Sequence, residues 1–430
     1  MNFRSEFLIF PVRKELKLTI LPVFPQTVCE NMDYELEIKP FSGLRLYGLR
    51  DQAGAPTEEN AAFFQQRHPL RVENGMLVMD VSFPQEDGYV CRLFIGGKEA
   101  QLFEIYALEE DLFHLNPYRG DNHMHTWMSD GKDSPMYMAA AACRNGNDYC
   151  VITDHRKYEP SLIAKEFYEG TGVDFLVIPG EEIHSPDNHV HIINLGGTES
   201  VNDWWRDHED EYRAAVEKEM ESMDVPMTDK DRYAAAASQV IFDRIESVDG
   251  VSVFCHPCWI LSSSSCFQES EDITEYLMDH KRFTALELIA GGAYEVGTQM
   301  QISYYQKRES MPILGSSDAH SCFGGRGKLE PGNYTIAFAQ SMDPASIKTA
   351  IRSALTVAGN ENKLYGDFRL VKYAYFLMRS YYPKHSEQRM QLGAKMLRYA
   401  SSLSEKDSAI AQEMQNIRPT EEFVRLRWHD

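Results

Sequence analysis

Between Asp121 and His320 the chain repeats one device: a short apolar run that ends on residues able to ligate a metal. In order, the ligand-bearing segments are Asp121-Asn-His123-Met-His125 running on to Asp130-Gly, Ile152-Thr-Asp-His155, Pro179-Gly-Glu-Glu182, His189-Val-His191, Cys255-His256-Pro and Ser317-Asp318-Ala-His320. Most follow aliphatic or β-branched stretches: Cys150-Val-Ile-Thr, Asp174-Phe-Leu-Val-Ile, Val251-Ser-Val-Phe and Pro312-Ile-Leu-Gly. Buried parallel strands read as such runs, and in a β/α barrel the chemistry sits where the strands end. Ligands at so many strand ends converge on one point. The pattern predicts a multinuclear metal site in a barrel.

At 430 residues the chain is long enough for two to three domains. Its net charge of −22 argues against a duplex nucleic-acid binder, which needs a basic footprint. A small anionic substrate stays compatible, because bound divalent cations reverse the local field. No apolar stretch reaches membrane-span length, and the first ten residues lack the order of a secretory signal. The eight cysteines are scattered without a disulfide framework, so reduced thiols in a cytoplasmic protein are expected. Cys255-His-Pro-Cys258 fits a CxxC pattern, but no second CxxC completes a zinc site.

Residues 1–115 show period-two patterning, as in Tyr34-Glu-Leu-Glu-Ile and Met76-Leu-Val-Met-Asp-Val, and predict an antiparallel β-sandwich. Residues 116–358 alternate strand and helix, with strands expected before His123 and near 149–153, 174–178, 190–195, 251–255, 285–289 and 312–316. Ser134-Pro135 opens the first helix with a cap and a proline at its first position. Residues 198–248, rich in acid, Trp and Arg, read as an insertion of two helices beside the barrel or over it. Residues 359–430 read as a helical appendage for packing or for self-association into a homo-oligomer.

His123 and His125, two apart on a strand, face the same way. A lone pair of this kind is ordinarily a surface or core pair, but here Asp130 follows and further ligand clusters appear downstream. His155 ends a strand, with Asp154 ahead of it as a carboxylate expected to orient a neighbouring histidine. Glu181 and Glu182 are adjacent, so one points inward; Glu182 is the choice, as a bridge between two metals. His189 and His191 share a face, with His191 the stronger candidate. His256 precedes a strand-ending proline, and Asp318 and His320 again share a face.

This ordered set (HxH, SDG, TDH, PGxE, a strand His, HP, SDxH) resembles the PHP (polymerase and histidinol phosphatase) family of metal-dependent phosphoesterases over roughly residues 119–340. The resemblance implies a distorted seven-stranded, TIM-like β/α barrel that holds two or three divalent ions, Zn, Mn or Fe. Carried over by position, His123, His125, Glu182 and Asp318 hold the first ion, and Glu182 bridges to a second held by His191 and His256. Asp130, His155 and His320 hold the third, with Asp130 standing where some relatives carry His. The implied reaction is attack of a metal-bridging hydroxide on a small-molecule phosphate ester.

Arg156, after the TDH motif, and Arg326, in Gly324-Gly-Arg-Gly-Lys, are the candidate cationic clamps for the phosphate, and His184 is a candidate proton donor. Each has a bland alternative as a solvated loop residue. Two competing functions remain: a hydrolase of ester, amide or carbamate bonds, as in the carbaryl-hydrolase-like branch that the chain also resembles, and a non-catalytic ligand-binding barrel. Missing ligands would mark the latter, and none is missing. A nuclease is disfavoured by the acidity and by the absence of an aromatic-basic stripe.

Overall fold

The structure, a computed structural model, describes residues 2–24, 27–42, 62–260, 266–291, 295–308, 311–322, 332–402 and 407–429. The chain divides into two compact units. One joins Met1–Leu115 with Lys372–Tyr382 and Thr420–Asp430; the other joins Asn116–Val371 with Pro383–Pro419.

In the first unit, alternating burial builds two sheets. Tyr34–Pro40 buries every second residue, and Leu18, Ile20, Leu36, Ile38, Leu77, Leu93 and Ile105 meet in one core. The four-stranded sheet runs Phe3–Ser5, Leu16–Pro22, Met76–Val81, Arg71–Glu73. The five-stranded sheet runs Ile9–Pro11, Lys98–Leu108, Asp87–Ile95, Tyr34–Pro40, Arg67–Pro69. Every pairing is antiparallel except that of Ile9–Pro11 with Lys98–Leu108. Part of the C-terminal helical segment belongs here, since Tyr106 packs on Tyr373 and Phe376 with ring centroids 4.9 and 5.3 Å apart. The tail read as one appendage is therefore shared between the two units.

The second unit is mixed α/β. One sheet orders Leu176–Ile178, Tyr149–Val151, Asn116–Asp121, Tyr334–Ala339, Thr356–Gly359, Leu364–Tyr365; the other orders Gly180–Ile183, Ile192–Leu195, Val251–Phe254, Ala285–Ala290, Ile313–Ser316. The two sheets are joined at both seams by single bridges, Met124 to Ala319 and His155 to Glu182. The result is barrel-like at the end where the ligand-type residues lie.

All seven strand regions expected from sequence are present, but they do not form one all-parallel sheet. Gly180–Ile183 and Ile192–Leu195 are joined by only eight residues and pair antiparallel, as a short connection demands. Ile192–Leu195 also runs antiparallel to Val251–Phe254. Val251, Val253, Ile193, Leu195, Tyr149, Val151 and Leu314 pack together in one core. The opposite face, with Ile192, Phe254 and Leu286, packs on Tyr212, Val216, Ile241 and Phe242.

Those last residues belong to the insertion, which forms three helices rather than two: Val201–Asp207, Glu209–Ser222 and Asp229–Ser247. Ser200 and Thr228 cap two of them by accepting from Asp203 N and Asp231 N. Among the described residues, no helix is long and apolar enough to cross a membrane.

Candidate metal centre

The strand ends deliver their ligands because the backbone there is tied down first. Asp121 Oδ1 accepts from the backbone N–H of Ser317 (2.9 Å) and His123 (3.3 Å), and His125 N donates to Ala319 O (2.8 Å). Burial pushes the Asp121 carboxyl up to about 6. The HxH and SDxH segments are thereby fixed side by side, with both HxH imidazoles fully buried.

Glu182 lies at the centre and is itself buried. Its Oε2 is 2.7 Å from His155 Nδ1 and 3.4 Å from Nε2 of both His123 and His125. Its Oε1 is 2.7 Å from His191 Nδ1 and 3.7 Å from His256 Nε2. Asp318 Oδ1 closes one side, 3.1 Å from His125 Nε2 and 3.3 Å from His123 Nε2. Yet both Glu182 oxygens and the Nδ1 atoms of His155 and His191 have no hydrogen-bond partner of acceptable geometry. Buried and unpartnered ligand-type atoms brought this close together are what a metal-binding set presents.

A second group lies beside it. Asp130 Oδ2 is 3.3 Å from His320 Nε2 and 3.5 Å from His155 Nε2, and Asp130 Oδ1 is 3.9 Å from His125 Nδ1. Asp154, expected to orient a histidine, instead shapes the loop that carries Asp130. Its Oδ1 accepts from Thr126 N (2.9 Å), Thr126 Oγ1 (2.9 Å), Ser129 N (3.0 Å) and Ser129 Oγ (2.6 Å).

The electrostatics are those of buried acids and imidazoles holding one another ionised. Burial alone would push Glu182 up, but His155, His191 and His123 outweigh it and hold the carboxylate well below its usual range. Burial alone would lower His155, but Glu182 and Asp130 bring it up to about 10.

Glu287 is a residue that sequence reasoning misses. It is fully buried mid-strand, with Oε1 3.0 Å from His123 Nδ1 and Oε2 accepting from His256 N at 3.1 Å. A carboxylate on Nδ1 places the ring proton there and leaves Nε2 free to ligate. Cys255 lies near this pair, but its thiol donates to Val253 O (3.5 Å) and burial, aided by Glu287, pushes it well above the ordinary range. Glu181 points away from the centre. It accepts from Asn194 Nδ2 (3.1 Å), Val201 N (2.5 Å), Ser200 Oγ (2.8 Å) and Asn202 Nδ2 (2.8 Å), and so anchors the insertion.

Two of the candidate ligands also sit in strained backbone. His256 (φ 23°) and Asp318 (φ 48°) occupy positive φ without being glycine. Gly291 permits the turn at Ser317: a Cβ there would lie 1.7 Å from Ser317 O.

Of the candidate catalytic residues, His184 stands beside the centre, with Nε2 4.0 Å from Glu182 Oε1 and its ring 4.2 Å from that of His191. Burial, reinforced by His191, lowers it to about 3. Arg156 is exposed, at φ 59°, on a cleft of about 650 Å³ that also borders His184. Arg326 lies outside the described residues. His189 lies 3.6 Å from the buried Glu269, away from Glu182. Because the strand Ile192–Leu195 is antiparallel, its start lies at the ligand end, and this places His191 before its apolar run rather than after it.

No family model matches the chain. A curated relative, the DNA polymerase/3'-5' exonuclease PolX of Bacillus subtilis (strain 168), is 39% identical over 61 residues. That match covers 14% of this chain and spans only 11% of the relative's length. Among solved structures, a two-domain protein from Bacteroides vulgatus ATCC 8482 containing a predicted PHP-like metal-dependent phosphoesterase is 18% identical, with a TM-score of 0.45 over 62% of this chain and 71% of that one. A protein from Bifidobacterium adolescentis ATCC 15703 assigned as a metal-dependent phosphoesterase is 18% identical, with a TM-score of 0.36 over 61% and 96%. An amidohydrolase from Chromobacterium violaceum, solved with bound sulfate and no metal, is 15% identical, with a TM-score of 0.33 over 49% and 90%. In its motifs the chain resembles PHP-like phosphoesterases.

Proposed function

We propose that this chain is a PHP-type metal-dependent phosphoesterase that hydrolyses a small-molecule phosphate ester. The observation that carries the reading is Glu182: one buried carboxylate within 3.7 Å of ring nitrogens from His123, His125, His155, His191 and His256. Burying so many ionisable groups without cations to ligate would be costly and gain nothing for the fold.

The residues fit divalent ions. His123, His125, Glu182 and Asp318 would hold one, Glu182 with His191 and His256 a second, and Asp130, His155 and His320 a third. Imidazole with carboxylate suits Zn, Mn or Fe. Such ions, when bound, supply Lewis acidity and acidify water near neutral pH. The chain's own residues do the rest. Glu287 aims His123, Asp121 locks the two ligand segments together, and Asp154 holds the loop of Asp130. Arg156, at the rim, offers a guanidinium fork to an anionic substrate, and the neutral imidazole of His184 stands between rim and centre.

The test is metal content per chain by inductively coupled plasma mass spectrometry, with hydrolysis of bis-p-nitrophenyl phosphate set against an aryl carbamate. The expected result is two or three equivalents of Zn, Mn or Fe and turnover of the phosphate, both lost in a His123→Ala, His256→Ala double variant. Turnover of the carbamate alone would move the reading to a carboxyl-type hydrolase. Failure to take up metal on reconstitution would leave a binding barrel.

A further inference from the structure

The cleft beside the centre bears on the part of the substrate that does not react. One residue of its lining, His184, lies 4.0 Å from the proposed metal-binding carboxylate of Glu182, so the cleft and the centre share that side chain. Its outer wall comes from the helical insertion, which contributes Trp205 and Lys230. Trp205 Nε1 donates to Asn202 Oδ1 (3.2 Å), so the orientation of this half-buried indole is fixed.

Two cations face this space. Arg156 is held in place by its backbone: its N donates to Glu182 O (2.9 Å) and its O accepts from Arg206 Nη2 (3.2 Å). Lys230 is exposed near the start of the helix Asp229–Ser247. Among the described residues, neither side chain has an ion-pair partner, in a protein with a net charge of −22. The acid that borders the same cleft, Asp187, lies 3.6 Å from Arg213. Unpaired positive charge on a cleft that shares His184 with the candidate metal centre is placed for an anion whose other end lies at that centre.

We propose that Arg156, expected from sequence to clamp the phosphate, instead joins Lys230 in a second anion subsite, so that the preferred substrate carries a negatively charged group apart from the reacting phosphate, selected by the lysine of the insertion. This rests on the phosphoesterase reading. A charge-assisted contact of this kind is worth about 10- to 100-fold in affinity.

Phosphonates test it without turnover. Full-length protein reconstituted with Zn or Mn is titrated calorimetrically with alkylphosphonates of two to five carbons and with their ω-carboxylate counterparts. At one chain length the carboxylated ligand should bind about tenfold tighter or more. That advantage should collapse in Lys230→Met and return in Lys230→Arg. Equal affinity at every length, or an advantage intact in Lys230→Met, would overturn the subsite while leaving the phosphoesterase reading standing. Binding of neither series to metal-loaded protein would overturn both.

Discussion

Glu287 offers the sharpest test of how the centre is built, because among the described residues its carboxylate hydrogen-bonds just two groups at the site. One is His123 Nδ1 at 3.0 Å and the other is His256 N at 3.1 Å. Glu287→Gln keeps the shape and hydrogen-bonding capacity but removes the charge that fixes the proton on His123 Nδ1. Loss of such a ligand-orienting carboxylate weakens metal binding about 10- to 100-fold, which corresponds to about 1.4 to 2.7 kcal/mol. The effect should fall on the ion shared by His123 and leave the Asp130 group alone, since Glu287 does not touch it. The assay is competition of the reconstituted protein against a chromophoric chelator, with metal counted per chain and urea unfolding of the metal-free protein as a control. His123→Ala sets the upper limit of the loss. A competition curve identical to that of the parent, with metal-free stability unchanged, would refute the assignment of Glu287 as the residue that aims His123.

Asp130→Ala should remove about one metal equivalent and spare those centred on Glu182, because Asp130 joins His155 and His320 at the edge of the cluster; metal counting checks this. Arg389→Met should destabilise the second unit by about 3 to 5 kcal/mol in urea unfolding, because it strands the buried Asp148 carboxylate that Arg389 and His385 compensate. The same pair predicts a pH dependence. Burial would raise Asp148, but Arg389 and His385 outweigh it and bring it down to about 2, below the unfolded value. A depressed carboxyl contributes stability above its unfolded pKa and loses it as pH falls through the folded one. The stability gap between parent and Arg389→Met should therefore narrow by about 2 kcal/mol between pH 4 and pH 2, and a gap constant over that window would exclude the pair as its source.

Most of the nine candidate ligands stand out in the sequence because they end or begin an apolar run, where a polar residue has no packing reason to be, whereas Asp130 sits in the turn that follows the HxH pair. Glu287 does not stand out, because a single Glu inside Ala285-Leu-Glu-Leu-Ile-Ala reads as the solvent side of an alternating strand. Only the strands on either side of it make that position interior. The reversed direction of Ile192–Leu195 had one trace, a ligand before its run rather than after it, and that trace becomes decisive only once the hairpin with Gly180–Ile183 is seen. Asp154 was placed at the right strand end but given the wrong partner, since its loop contacts at Thr126 and Ser129 depend on how residues 126–130 fold back. The sharing of the tail between two units was out of reach. It depends on contacts such as Arg389 with Asp148, which residue type and spacing do not encode.

The strain at the centre separates a ligand site from a satisfied polar core. His256 and Asp318 hold positive φ, and Arg156 does so beside Glu182, at about 1 to 3 kcal/mol each. A core selected for stability alone would relieve such positions with glycine or asparagine. Instead the surrounding structure holds them. Glu287 accepts from His256 N, Glu182 O accepts from Arg156 N, and the absence of a Cβ at Gly291 lets Ser317 approach. The contacts that enforce the strain are made by Glu182 and by the residue that aims His123. Strain held in place where the ring nitrogens and carboxylates converge accords with the proposed metal site, as do the unpartnered polar atoms of Glu182, His155 and His191 at that point.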